Sequence, residues 1–254
     1  MLLKWINDDS KPKSHEHNIL VLGAFSHALL PQLTIECISS QPEFFIVANL
    51  LSSNLVPFIC SQKKDTPFSF ALELFLRQFP GTEGKSPTNM YILLQRSPIL
   101  TGKLTEFSKE IQRFVQDFQF DEVLLLGSCN DRVLSSPAFS LSSRLFSYPK
   151  ILSITTPTGN KISTKLLDTH PSSEVGGEEE EDIKPLAGFG AGNTWDLIEI
   201  FESDVDISFQ SIVFAVAEGM NTREAIYFSE FVFNILKMGE IKIIEPPHWK
   251  DSLL

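Results

Sequence analysis

The chain has 254 residues, 43% of them hydrophobic and 21% charged, and a net charge of −11 at pH 7. That composition belongs to a folded globular protein rather than a disordered one, and the length suits one large domain that buries about 70–75% of its unfolded surface without a metal or disulfide to hold it. With 21 basic residues against 32 acidic ones and no run of Lys or Arg beyond two, neither nucleic acid nor an anionic membrane is an expected partner, since both need clustered cations.

Cys37, Cys60 and Cys129 are an odd number of thiols far apart in sequence, which is no disulfide framework; each sits in an apolar run and reads as a small buried hydrophobe. The opening residues lack the basic start and apolar stretch of a signal peptide, and no apolar run approaches the ~20 residues that span a bilayer. The expected location is a reducing compartment, cytoplasmic and nuclear.

In chain order, residues 1–17 are expected to be a loose N-terminus, polar from Asn7 onward. Asn18 to Gly23 is a short apolar run that reads as a buried strand. A helix fits Leu30 to Ser39, with Pro31 in the first turn, where its missing N–H is not needed. Phe44 to Ala48 and Leu55 to Cys60 are strand candidates, the second pushed toward an edge by Pro57. From Phe68 to Leu76 the even positions Phe68, Phe70, Leu72, Leu74 and Leu76 are apolar, which favours a strand, although helix also fits. Met90 to Gln95 returns as the second arm of a hairpin.

Leu104, Phe107, Ile111, Phe114, Val115 and Phe118 recur at helical spacing and predict a helix over 103–118. Asp121 to Gly127 follows at once as a continuous apolar run, the mark of a strand covered on both faces. Helix followed directly by buried strand is the α/β pattern. Residues 155–186 break it: turn formers, Gly176-Gly177 and five consecutive acids, Glu178 to Asp182, cannot bury. This stretch is expected to be a disordered acidic insertion in a single domain spanning 1–254.

The pattern then resumes. Asn193 or Thr194 caps a helix to about Phe201, and Ser211 to Ala217 is another buried strand. A last helix has Asn221 as cap with Glu224 three residues on, the spacing of a reciprocal capping box. Lys237 and Gly239 mark its end. A short strand at Ile241 to Ile244 leads to Pro246-Pro247 and a tail of residues 248–254.

Few residues suggest catalysis. Gly188-Phe189-Gly190-Ala191-Gly192 precedes a helix and could present amides to a phosphate, but its spacing is not that of the dinucleotide fingerprint and no Gly-Lys-Ser/Thr occurs. Gly127-Ser128-Cys129 follows a strand, but Asn130 stands where a nucleophile elbow needs its second Gly. Cys129 would be a nucleophile only with a His near it in space. His15 and His17 are two apart, not four, and no Cys-x-x-Cys exists, so neither a metal nor another cofactor is expected.

Several segments carry a family resemblance. These are Gly23 to Ile38 with Pro31-Gln32-Leu33, Leu55-Val56-Pro57, Gln95-Arg96-Ser97-Pro98-Ile99, Val123 to Ser128, Glu218-Gly219-Met220-Asn221 and Pro247 to Trp249. In this order they resemble the proteasome assembly chaperone 2 family. Two departures stand out: the Gly-Asn of the first loop is absent, and Met220 replaces an Asp. The resemblance implies a three-layer α/β sandwich like that of nucleoside phosphorylases, without the enzyme's active site. It further implies a non-enzymatic chaperone of 20S proteasome assembly, working as a heterodimer with a related chaperone to promote α-ring formation and prevent wrong or premature association. Family tails end in hydrophobic–Tyr–any residue and enter pockets between α subunits. By that resemblance Trp249, Leu253 and Leu254 are the candidate partner-binding residues, with Leu253 where Tyr would stand. The rival reading is a phosphate- or nucleoside-processing enzyme using Gly188 to Gly192. The 21 Phe fill either a core or a partner patch.

Overall fold

The computed structural model describes residues 1–60, 69–80, 86–130, 150–156, 163–167, 192–202, 207–219, 221–236, 238, 242–247 and 249. In chain order the elements are β1 (Leu2–Trp5), β2 (His17–Gly23), α1 (Leu30–Ser39), β3 (Phe45–Leu51), β4 (Ile59–Cys60), β5 (Ser69–Phe70), β6 (Leu72–Phe79), β7 (Thr88–Gln95), α2 (Leu104–Asp117), β8 (Glu122–Asn130), β9 (Lys150–Thr156), β10 (Ser163–Leu167), α3 (Thr194–Glu202), β11 (Ser208–Val216) and α4 (Thr222–Ile235). Short 3-10 turns sit at Asp8–Ser10 and His27–Leu29.

The continuous apolar runs become the centre of a nine-stranded sheet in the order β1-β3-β6-β7-β2-β8-β11-β9-β10. β7, β2, β8 and β11 are mutually parallel, with Val21 level with Ile92 and Leu124, and Ile212 level with Leu126. Both faces of these strands are covered, so side chains on either side can be apolar. Leu20, Leu22, Val123, Leu125 and Val213 pack with Phe107, Ile111 and Phe114 of α2 and Leu197 and Phe201 of α3. Ile19, Val21, Leu124, Leu126, Ile212 and Phe214 pack with Ile35 and Ile38 of α1 and Phe228, Val232 and Phe233 of α4. The result is a three-layer α/β/α sandwich. Most described phenylalanines lie in these two cores, whereas Phe45 and Phe58 are exposed.

The N-terminus is not loose. β1 pairs antiparallel with β3, with Leu2 opposite Leu51 and Trp5 opposite Ala48. Asn7 caps the following turn by accepting the Asp9 amide at 3.0 Å. Asn18 Nδ2 donates to the carbonyls of Lys13 and Glu16, and the buried Tyr91 hydroxyl donates to the Ser10 carbonyl at 3.0 Å. A polar stretch is ordered here because its backbone finds partners in the rest of the fold. Burial raises the Tyr91 pKa. Tyr91→Phe strands the Ser10 carbonyl, and urea unfolding is expected to register a loss of about 1 kcal/mol.

Three other expectations change. The third strand shrinks to β4, which among the described residues pairs with β5, while Leu55 forms a bridge to Ile99. Within 155–186 the described residues are Thr155 and Thr156, which pair with β11 as part of β9, and β10, which pairs with β9. Glu178 to Asp182 lies outside the described residues. Asn221 occupies the cap position of α4 but forms no capping bond; its Nδ2 points back to the carbonyls of Ala217 and Gly219. Ile243 and Ile244 belong to no strand; the Ile244 amide and carbonyl bond the Gln41 side chain instead of a neighbouring backbone. Lys237 and Gly239 lie outside the described residues.

Cys37 and Cys129 are buried. Burial pushes the Cys37 thiol up to about 11, so it stays protonated, and the thiolate is the reactive form. Iodoacetamide at mildly alkaline pH is expected to leave Cys37 unmodified in the folded protein and to label it once denaturant is added, as read by peptide mass spectrometry.

Candidate functional site at the carboxyl ends of the parallel strands

Two polar clusters lie where the parallel strands end. α1, which follows β2, packs on one face of the sheet, and α3, which precedes β11, packs on the other.

The first cluster is the turn after β2. Ala28 and Leu29 are both left-handed, with φ 54° and 52°, a conformation that side chains disfavour and that the surroundings must hold. Gln32 Nε2, from the first turn of α1, donates to the Ala24 carbonyl at 2.5 Å. Ser128 Oγ donates to the His27 carbonyl at 2.5 Å, and the Ser128 amide donates to Ser26 Oγ at 3.0 Å. Gln32, in the family-like Pro-Gln-Leu segment, therefore stitches helix to strand end.

These contacts bear on the nucleophile candidates. Ser128 lies inside β8, fully buried, and its proton points at a carbonyl rather than at a base. Cys129 is likewise a buried strand residue packed in the core. His27 Nε2 has no hydrogen-bond partner. A serine needs an acceptor base in reach to be activated, and among the described residues Ser128 bonds Ser26 and the His27 carbonyl.

Of the glycine loop, Gly188 to Ala191 lies outside the described residues. Gly192 has φ 55°, and a Cβ there would sit 2.0 Å from the Phe25 carbonyl oxygen. The Asn193 amide donates to that same oxygen at 3.4 Å. The start of α3 is thus packed on the β2 turn. Asn193 holds the cap position only through its carbonyl, which accepts from Leu197; its side-chain amide makes no hydrogen bond. Thr194 lies against Gly127, where a Cβ would come within 2.4 Å of its methyl.

The second cluster centres on Arg96, just past β7. Its Nε donates to Glu73 Oε2 at 2.9 Å and its Nη1 to Glu36 Oε1 at 2.7 Å. Glu73 is 1% exposed, and its other oxygen accepts the Phe70 amide at 3.0 Å. Burial works against the Arg96 charge, but Glu73 and Glu36 outweigh it and raise the pKa. The other oxygen of Glu36 accepts the Trp249 indole N–H at 3.2 Å. One guanidinium and one shared carboxylate join β6, the end of β7, α1 and the C-terminal segment.

That places the expected partner-binding residues differently. Trp249 is 6% exposed and packs in the α1–α4 core; its ring is held by the domain rather than offered to a partner. Leu253 and Leu254 lie outside the described residues. Glu36 and Glu73 went unmarked in the sequence, although each was visible as a lone carboxylate among apolar neighbours. Among the described residues no group of three His, Cys, Asp or Glu could hold a metal, and no helix is long and apolar enough to cross a membrane.

Sheet order, two helical layers and strand ends whose polar groups engage one another define a single-domain three-layer α/β sandwich. The PAC2 family profile matches residues 20–224, and the chain belongs to the PAC2 family. Its fold is similar to that of Pyrococcus furiosus PbaB, an archaeal proteasome activator, at 13% identity and TM-score 0.58 over 95% of this chain and 91% of that one. It is also similar to Pyrococcus furiosus PbaA, an archaeal homolog of proteasome-assembly chaperone, at 12% identity and TM-score 0.56 over 99% and 92%. A PAC2 family protein from Streptomyces avermitilis matches at 10% identity and TM-score 0.52 over 93% and 94%. At these identities the likeness is one of fold. No curated protein sequence matches the chain.

Proposed function

We propose that the chain is a non-enzymatic chaperone of 20S proteasome assembly. It pairs with a related chaperone, promotes formation of the α-subunit ring and blocks wrong or premature association, in the cytoplasm and the nucleus. The observation that carries this reading is membership of the PAC2 family across residues 20–224. PbaB, an archaeal proteasome activator, and PbaA, an archaeal homolog of proteasome-assembly chaperone, share the fold and support it. So does the chemistry of the strand ends, where Ser26, Ser128, Glu36 and Arg96 bind other groups of the protein.

A binding protein needs apolar surface for its partners. Leu2 and Leu51, opposite each other on β1 and β3, are 66% and 49% exposed, and Ile6 just after β1 is 60% exposed, which makes this edge a candidate for such a surface. Net charge of −11 would steer the chain toward basic faces of α subunits. The association rate with α subunits, followed by stopped-flow fluorescence, is expected to fall as salt rises, because screening removes steering; a rate indifferent to salt contradicts that part.

The test is to recover the tagged chain from its native cells and identify what accompanies it. Proteasome α subunits together with one small α/β partner support the reading. Recovery of neither from soluble, folded protein overturns it and restores the phosphate-site enzyme, which a rise in thermal stability with phosphate or nucleosides would then reveal.

A further inference from the structure

β1 lies at one end of the nine-stranded sheet, and among the described residues its neighbour is β3 alone. The Ile6 amide, just past β1, bonds the Val47 carbonyl of β3 at 2.8 Å. Bonding alternates along an antiparallel ladder. Leu2 and Lys4 therefore turn their peptide groups toward β3, and Leu3 and Trp5 turn theirs outward. The side chains beside this open row are apolar on both faces. Toward α2, Leu3 and Trp5 pack on the core, and a pocket of about 120 Å³ is lined by Leu3, Phe114, Phe118, Arg113 and Asp117 among others. On the opposite face Leu2 and Ile6 are exposed.

A sheet edge that stays open is normally blunted by charges, proline or a bulge. β1 has no proline, its register with β3 is regular, and its one charge is the exposed Lys4, opposite Asn49 and between Leu2 and Ile6. That charge selects the occupant. When two copies of the chain pair antiparallel through Leu3 and Trp5, the two Lys4 side chains stand directly opposite each other, and like charges there destabilise the pair. A different chain with an acid at that position gains where a second copy loses. We propose that the open edge of β1 receives an extended strand of the related chaperone, with an acidic residue opposite Lys4 and apolar residues against Leu2 and Ile6. Main-chain bonds to Leu3 and Trp5 supply affinity, and the pocket beside Leu3 takes one of the strand's alternate side chains. The identity of the occupant rests on the chaperone reading above.

The test compares the full-length chain alone with the chain bound to the related chaperone that co-purifies with it. Hydrogen exchange, read residue by residue, should slow about tenfold or more at the Leu3 and Trp5 amides in the complex, and less at Lys4 and Ile6, which already face β3. Carbodiimide, which joins a lysine to a carboxylate in contact, should couple Lys4 to an Asp or Glu of that chaperone. Lys4→Glu should weaken binding about tenfold at an unchanged melting temperature, because repulsion replaces attraction; Lys4→Arg should bind like the unaltered chain. Unchanged exchange at Leu3 and Trp5 in a complex that does contain the related chaperone overturns the proposal and leaves the chaperone reading standing. Undiminished binding by Lys4→Glu does the same. Protection of the two amides in the chain alone, growing with its concentration, makes a second copy the occupant, and coupling of Lys4 to an α subunit makes it that subunit; either overturns the proposal. Absence of both α subunits and a related chaperone from the soluble, folded chain overturns the chaperone reading and the named occupant with it.

Discussion

Arg96→Ala is expected to destabilise the domain by about 3–5 kcal/mol, the range for a buried charge that loses its partner. The loss does not come from the Arg96–Glu73 attraction by itself, since desolvation of both groups offsets much of that. It comes from Glu73, 1% exposed and left, among the described residues, with the Phe70 amide. Arg96→Lys should recover part of the stability. It keeps the cation but cannot reproduce the fork that reaches Glu73 with Nε and Glu36 with Nη1. The double change Arg96→Met with Glu73→Leu should be milder than Arg96→Ala, because the deeply buried carboxylate leaves with its cation and Glu36, which loses the same partner, still accepts the Trp249 indole N–H. Urea unfolding of the four proteins decides this; an Arg96→Ala loss under about 1 kcal/mol, the size of an exposed pair, contradicts the account.

Phe228→Ala is the second large effect, expected at about 3–5 kcal/mol. Phe228 is fully buried on α4, stacked on Phe214 of β11 with ring centroids 3.8 Å apart and planes inclined by 22°. Its neighbour Ser229 donates to the Ala225 carbonyl and reaches the Thr34 carbonyl of α1. Truncation opens a cavity where the outer helical layer meets the sheet, and close packing on both sides prevents it from collapsing. The melting temperature should fall steeply, and α4 should be the first segment to lose exchange protection. A shift of only a degree or two would mean that α4 is held mainly by other contacts.

These two sites also show what the sequence reveals and what it conceals. α1 was legible to the residue, because Pro31 marks its first turn and apolar residues fill the rest. The alternation around Leu72 and Leu74 resolved the helix-or-strand ambiguity correctly once β6 found β3 and β7 as neighbours. The N-terminus misled, because β1 is held by backbone pairing with β3 and the turn at Ser10 by Tyr91, partners far away in sequence. Asn221 misled in another way. Its spacing to Glu224 was right for a capping box, but the tight turn at Gly219 gave its amide nearer acceptors. Trp249 was marked as a partner contact on the strength of a resemblance; in the structure its ring is buried and its N–H bonds Glu36. Nothing in the spacing of Glu36, Glu73, Arg96 and Trp249 could bring four residues from four segments together; only the sheet order does that.

The measurement that bears most directly on the central claim is reconstitution of the α-subunit ring from purified proteasome α subunits, with and without the chain and its co-purified partner, followed by native mass spectrometry. The account predicts a complex that contains this chain bound to α subunits, faster appearance of complete rings and fewer off-pathway species. Rings that form at the same rate and with the same by-products, from α subunits that never bind the folded chain, would contradict it.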